Sequence, residues 1–431
     1  MPRPASSSRV AIAETVAVGS ELLIGGRSDS NSLRIAEALA ELGVAVRFKT
    51  IVGDDEADIR TVLTQAVSRA GIVILTGGLG PTVDDVTREA IATATGRRLA
   101  RRKEALDGMT ARLSQWGRVP NEGQLRQALI PVHAAVLPNP VGSAPGFWLT
   151  WKDATIVSLP GVPSEMDAMM TASVLPLLRM QLAERLTIPP RPLTRVVFHT
   201  WGLPEADVDA RLLGLVPKGV PIDLGLLASP TGVLVSLTTK ATGSPSPSLL
   251  SALSEGVRSR LAEWLYAEGS ETMEQVVGRL LAERKLTVAT AESCTGGLIG
   301  HRLTQVPGSS AYVDRGVICY SNRAKSELLG VSPRLIKTHG AVSAQVAAAM
   351  ARGMRERAGV SAGVSVTGIA GPGGGTPAKP VGLVYIGLHA DDGQAITKEY
   401  RFNGDRSVVK QRSSQAALDM LRRWAVSRRL S

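Results

Sequence analysis

Ile72-Val73-Ile74-Leu75-Thr76 runs straight into Gly77-Gly78-Leu79-Gly80-Pro81-Thr82-Val83-Asp84-Asp85-Val86-Thr87. A wholly apolar run of strand length, without alternation, suits a strand buried on both faces, as in a parallel sheet. Glycines at its end, opening a helix, place a permissive turn beside unpaired helix N–H groups, a setting that suits phosphate or pyrophosphate. Gly77, Gly78, Gly80 and Thr82 are the candidate phosphate-binding residues, and Asp84 and Asp85 candidate ligands for a divalent cation such as Mg. The competing reading makes Thr82 and Asp85 an [ST]-x-x-[DE] capping box.

The surrounding pattern extends this unit. Upstream, Thr15–Val18 reads as a strand, and Leu33, Ala36, Leu39 and Leu42 recur at helical spacing until Gly43. Val44–Phe48 reads as the next strand, and Asp55 as a cap for a helix beginning near Glu56. The order is βαβαβ, which predicts a three-layer α/β domain. Downstream, Thr187-Ile188-Pro189-Pro190-Arg191-Pro192 cannot be helical and reads as a linker. A small α+β unit follows: strand Arg195–Thr200, helix Glu205–Leu215, strand Val233–Thr239, the loop Gly243–Ser248 and a last helix. From about Glu271 a second α/β domain begins, with strands expected at Thr287–Ala291, Val317–Tyr320, Gly363–Thr367 and Val381–His389. The expected fold class is thus α/β, two three-layer α/β/α domains joined by a small α+β domain.

The bulk properties agree with a soluble, multidomain chain. Its 431 residues suffice for two or three cores, and 44% hydrophobic with 20% charged residues is ordinary for soluble proteins. Aromatics make up only 3%, so the cores must be aliphatic. The formal charge of +11 favours anionic partners, either nucleic acid or phosphorylated metabolites. The arginines are scattered, without interleaved aromatics, so nucleic-acid binding is not expected. Cys294 and Cys319 are the two cysteines, and no structural disulfide is expected of them. Met1–Ser8 is short and polar, and Glu14 interrupts the apolar run Val10–Val18. Neither a signal nor a membrane segment is read there, and a cytoplasmic location is expected.

The second domain holds the best catalytic candidate. Ala291-Glu292-Ser293-Cys294-Thr295-Gly296-Gly297 lies where a strand ends and an apolar-periodic helix starts (Leu298, Ile299, Leu303). A serine there stands among free backbone N–H groups, which suits an oxyanion, although a plain helix cap is the alternative. The five histidines show no triad spacing around it. Lys325 is the better base, in the opening turns of a helix capped by Ser321 or Asn322 and stopped by Gly330. Burial and the helix dipole would keep its amine neutral, as in Ser-Lys enzymes; an exposed surface lysine is the alternative. Thr367–Gly375, with Gly368 and Gly371, can present amides to an anion. Arg406 in Asn403-Gly404-Asp405-Arg406 can hold a phosphate or form a surface salt bridge.

AESCTGG (291–297), GSSAYVDRGVICYSNRAK (308–325), HGAVS (339–343), VTGIAGPGGG (366–375) and FNGDR (402–406) together resemble the C-terminal domain of the CinA family, over residues 271–429. That resemblance implies a nicotinamide mononucleotide amidohydrolase producing nicotinate mononucleotide and ammonia. The family's Ser, Tyr and Lys fall on Ser293, Tyr320 and Lys325. On this reading Lys325 takes the Ser293 proton directly or through Tyr320, and amides at Thr295, Gly296 and Gly297 hold the oxyanion. Asn322, Gly368, Gly371 and Arg406 border the substrate, and no cofactor is required. Residues 10–178, with Gly19–Leu23, Val52–Asp55, Asn139–Gly146 and Leu159–Met166 besides the glycine turn, resemble the family's molybdopterin-binding-like domain. Family members are linked to metal-dependent hydrolysis of ADP-ribose; Glu21, Asp84 and Asp85 are then the candidate metal ligands, with Asp54 and Asp55 as alternatives or caps. Residues 190–268 correspond to the KH-like linker, without a Gly-x-x-Gly loop. The resemblance further implies a homodimer acting in pyridine nucleotide salvage. The alternative, from the family's name, is a non-catalytic adaptor in DNA uptake or repair.

Overall fold

The computed structural model describes residues 11–186, 192–240 and 247–428. The expected linker Thr187–Pro192 except Pro192, and Gly243–Ser246 of the expected loop Gly243–Ser248, lie outside the described residues, as does the polar N-terminus. The strands are β1 (Ile12–Val18), β2 (Ala45–Val52), β3 (Ile72–Thr76), β4 (Leu99–Arg101), β5 (Leu129–Pro131), β6 (Ala135–Leu137), β7 (Gly146–Trp151), β8 (Ala154–Leu159), β9 (Arg195–Thr200), β10 (Ile222–Ser229), β11 (Gly232–Thr239), β12 (Leu265–Glu268), β13 (Val288–Glu292), β14 (Val313–Ile318), β15 (Ala362–Gly368), β16 (Leu383–Ala390) and β17 (Ala395–Arg401). Among the described residues, no helix is long and apolar enough to cross a membrane.

The N-terminal sheet has the order β2-β1-β3-β8-β7-β6. β1 pairs in parallel with β2 and β3, and β3 in parallel with β8; β7 and β6 add antiparallel strands at one edge. All five residues of β3 are buried, as its unbroken apolar run predicts. Val73 and Leu75 enter a cluster with Ile59, Leu63 and Ile91, whereas Ile72 and Ile74 enter one with Ile35, Leu39 and Met166. Alternate side chains feeding two separate helical layers are what a three-layer domain requires. Glu14 is fully buried in β1 and charged only at the cost of desolvation. Arg69 offsets this through Nε and Nη2 at 2.7 and 2.6 Å, and Thr50 Oγ1 donates at 2.7 Å.

Several sequence boundaries shift. The helix expected to reach Gly43 spans Asn31–Ala40, and Leu33 on it is 59% exposed. The strand read as Val44–Phe48 continues to Val52, because pairing with β1 carries on past the apolar stretch. The turn glycines show why their residue type matters. Gly77 has φ of 103°, and a Cβ there would stand 2.1 Å from the Val18 carbonyl oxygen. Gly96 also has positive φ, 67°, but its Cβ would meet nothing within 4 Å. Gly96→Ala should therefore cost only about 1 kcal/mol of backbone strain, and Gly77→Ala at least about 2 kcal/mol more, read as the shift in urea midpoint. Equal losses would show that the close approach to Val18 carries no weight.

The small α+β unit carries the sheet order β10-β11-β9-β12, with helices Glu205–Leu212 and Pro247–Leu261. β10 and β12 were not legible in the sequence. β10 lacks alternation and contains Gly225, and β12 is four residues long. In the C-terminal domain the order is β14-β13-β15-β16-β17. β13 pairs in parallel with both β14 and β15, and β16 and β17 complete the sheet antiparallel. β14 is Val313–Ile318 rather than Val317–Tyr320; its exposed Asp314 and Arg315 belong to an edge strand and hide the pattern. Helix Ala344–Ala358 approaches β15 closely because that face bears Gly363 and Ser365. A Cβ on Gly363 would lie 2.4 Å from Ala351 O, and Ser365 Oγ donates to Ala347 O at 2.6 Å. Successive strands leave β13 in opposite directions. The C-terminal end of β13 is thus a topological switch point, where α/β sheets open a crevice for ligands.

Candidate active site

Ser293 follows β13 at that switch point and is 8% exposed. Its amide donates to Val366 O at 3.0 Å, which ties the turn to β15. The helix begins only at Leu298, with Gly297 as its left-handed cap residue, so Ser293 is not the cap. The preceding Glu292 fills that place. Its carboxylate, 1% exposed, accepts the amides of Gly297 (2.9 Å), Ile299 (3.1 Å) and Gly300 (2.8 Å). A buried charge collecting three helix N-terminal donors is stabilised by hydrogen bonds and by the dipole together.

This arrangement corrects the expected oxyanion donors. The Gly297 amide is held by Glu292, and that of Gly296 donates to Ser293 O at 3.1 Å. Among the described residues, the amides of Cys294 and Thr295 are the ones in this turn that no main-chain carbonyl or carboxylate accepts; that of Cys294 meets only its own thiol. Thr295 is fully buried, and its Oγ1 has no partner among the described residues.

Lys325 reaches Ser293 from helix Asn322–Leu329, capped by the Ser321 hydroxyl and ended by left-handed Gly330. It is 1% exposed, so the surface-lysine alternative is overturned. Its Nζ lies 3.1 Å from Ser293 Oγ, 2.9 Å from Cys319 O and 3.1 Å from Tyr320 O. Burial pulls the amine below its ordinary pKa. A neutral amine has two N–H bonds and one lone pair. The two carbonyls match the N–H bonds, which leaves the lone pair for the serine hydroxyl. The neighbouring thiols offer no rival nucleophile. Both cysteines are free and buried; burial pushes Cys294 up to about 12 and Cys319 up as well.

Tyr320 is placed differently from its expected relay position. It is 57% exposed, beyond the end of β14, and its hydroxyl accepts from Arg406 Nη2 at 2.9 Å. Only its main-chain carbonyl meets Lys325. Arg406 opens the helix Arg406–Ser427, and its Nη1 donates to Gly371 O at 2.9 Å. Among the described residues it makes no salt bridge, and it braces the phenol against the glycine loop. Gly368 ends β15 opposite Val384, and Asn322 is exposed at the first position of its helix. The HGAVS segment is tied in from behind: Thr367 Oγ1 donates to Ala341 O at 2.8 Å, and Lys379 Nζ to His339 O and Val342 O at 2.8 and 2.7 Å.

The N-terminal candidates do not assemble as expected. Asp85 accepts the amides of Gly80 and Thr82, both at 2.8 Å, and the Thr82 hydroxyl. The helix starts at Thr87, so this contact closes the turn and does not cap the helix. The Gly80 and Thr82 donors face Asp85 instead of an open anion site. Gly77 and Gly78 offer their carbonyls to the Thr87 hydroxyl and amide at 3.0 and 3.2 Å. Arg88, buried, holds the same turn through Leu79 O at 2.8 Å and Gly80 O at 3.2 Å, a role without any local sequence signal. Asp55 is a helix cap, accepting from Ala57 and Asp58, and Asp54 accepts the Ser20 amide at 2.8 Å. Among the described residues no three His, Cys, Asp or Glu side chains are grouped to hold a metal ion. Glu21, Asp84 and Asp85 thus do not fit a divalent cation as a set. Glu165 is the carboxyl set apart at this end: burial pushes its pKa up, against the hydrogen bond from Asn139 Nδ2 at 2.6 Å.

Comparison with known proteins gives the family of each domain. Residues 14–180 match the "Probable molybdopterin binding domain" family, 195–267 the damage-inducible protein CinA KH domain, and 270–425 the CinA C-terminal domain. A CinA-like protein of Geobacter metallireducens is 43% identical over 96% of this chain and 98% of its own length. One of Geobacter sulfurreducens is 44% identical over 95% and 98%. The crystal structure of the competence/damage inducible protein CihA from Agrobacterium tumefaciens aligns at 43% identity with a TM-score of 0.34, over 35% of this chain and 94% of that one.

Proposed function

The chain belongs to the CinA family, and from that premise we propose that its C-terminal domain deamidates nicotinamide mononucleotide, giving nicotinate mononucleotide and ammonia. The observation that carries this reading is the buried Lys325 amine, 3.1 Å from Ser293 Oγ and flanked by two carbonyl acceptors. Lys325 takes the hydroxyl proton directly as Ser293 Oγ attacks the carboxamide carbon. The amides of Cys294 and Thr295 are the donors available to the oxyanion, and Glu292 keeps the turn that presents them rigid. The lysine ammonium returns its proton to the departing nitrogen, and ammonia leaves. Water, deprotonated by the same amine, then attacks the acyl-enzyme and frees the carboxylic acid. Tyr320 positions Arg406 rather than carrying the proton.

Metal-dependent hydrolysis of ADP-ribose by the N-terminal domain lacks comparable support, because Asp85 is committed to the turn and the expected ligands do not group. The test of the main reading is direct. The full-length chain, incubated with nicotinamide mononucleotide, should release ammonia and nicotinate mononucleotide one for one. Absence of ammonia release would overturn it.

A further inference from the structure

Arg406 and Lys410 stand four residues apart on helix Arg406–Ser427 and so share a face. Arg406 locates that face through its bonds to Gly371 O and the Tyr320 hydroxyl, both at 2.9 Å. Lys410 points at the turn that follows the nucleophile: a Cβ built on Gly296 would lie 3.6 Å from its Nζ. Lys410 therefore borders the turn that carries Ser293, and Arg406 the adjoining Tyr320 and Gly371.

Their charges are unbalanced. Among the described residues neither has an ion pair, and Lys410 has no hydrogen bond. Like charges at this spacing repel, and Arg406 stands at the positive end of a helix, where anions are favoured. Asp405, the carboxylate of that turn, accepts the Val408 amide at 2.9 Å. Arg406 already donates through both terminal nitrogens, whereas the Lys410 ammonium keeps its donors for a ligand.

We propose that Lys410 is the phosphate-recognition residue of the Ser293 site, so that the site selects a nucleotide monophosphate over the corresponding nucleoside. Phosphate recognition thereby moves from Arg406, the residue the sequence suggested, to its neighbour one turn on. This inference rests on the deamidase reading for the identity of the reacting end of the ligand, and its test is kept separate by measuring binding.

Binding of nicotinamide mononucleotide, nicotinamide riboside and inorganic phosphate is titrated calorimetrically on the full chain in a Ser293→Ala background. Lys410→Gln should weaken mononucleotide binding by about 10- to 100-fold, the range for a hydrogen bond to a charged group. Riboside binding should change by less than about twofold, since it lacks the group concerned. Inorganic phosphate should compete with the mononucleotide in the parent and cease to do so in Lys410→Gln. Lys410→Arg, which keeps the charge, should preserve the discrimination. Equal weakening for nucleotide and nucleoside, no weakening, or an equal loss in the Arg and Gln variants would each overturn the proposal. Ammonia release without a phosphate-selective loss would sink this inference alone. Phosphate-selective binding without ammonia release would sink the deamidase reading alone.

Discussion

Lys325→Met should lower kcat for ammonia release by about 100- to 10,000-fold, the usual worth of a positioned general base. Ser293→Ala should fall at least as far, because without the nucleophile only the oxyanion donors and ligand binding remain. The residue pair acts as a unit, so the double variant should be little slower than Ser293→Ala. An additive loss would mean that the two side chains do not share a proton, against their 3.1 Å contact. The pH profile gives an independent readout. Burial lowers the folded pKa of Lys325 below the ordinary value near 10.4, and the working form is the neutral amine. Activity should therefore rise with pH through that lowered pKa and then level off, with its midpoint below the ordinary lysine value.

The same shift has a stability counterpart. With the folded pKa depressed, the unfolded chain binds more protons between the two values. The contribution of Lys325 to stability is present in full above the unfolded pKa and is lost as pH falls through the folded one. The stability of the wild type relative to Lys325→Met should thus increase with pH over this window, as measured by urea unfolding. A pH-independent difference would show that the amine stays charged in the folded protein.

Glu292→Gln should destabilise the C-terminal domain by roughly 2–4 kcal/mol, seen as a lower urea midpoint. The exchange keeps the volume and one acceptor oxygen but turns an NH2 group toward helix amides. At least one of the Gly297, Ile299 and Gly300 N–H groups then loses its buried partner. Glu292→Ala should be worse, since all three lose it. Because the carboxylate shapes the turn carrying Ser293, kcat should fall in Glu292→Gln even at temperatures where the protein is fully folded. An unchanged midpoint would refute the capping role outright.

Much of the architecture was legible because it follows from local periodicity. The unbroken apolar run of β3 announced a strand covered on both faces, and Gly43 and Gly330 marked chain reversals by their left-handed φ of 71° and 69°. β10, β12 and the true extent of β14 were hidden, since short or edge strands show neither alternation nor an apolar run. Ser293 and Lys325 could be named as candidates from their positions at a strand end and in a helix's first turns. Glu292 could not, because an acid before a serine carries no signal until the helix beyond it is placed.

From the sequence alone came the βαβαβ start of the first domain, several strands of the other two, the residue types able to do acyl chemistry, and the family resemblance that joins them. Hydrophobic period and backbone-specific residues such as glycine act over a few neighbours, so they survive in one dimension. Tertiary structure alone decided which donors are already taken. It set the Lys325 amine 32 residues away against Ser293, gave Gly297 to Glu292 and the Gly80 amide to Asp85, and turned the Tyr320 phenol toward Arg406. A hydrogen bond reaches about 3 Å through space with no regard to separation along the chain, so its partners exist only once the chain has packed.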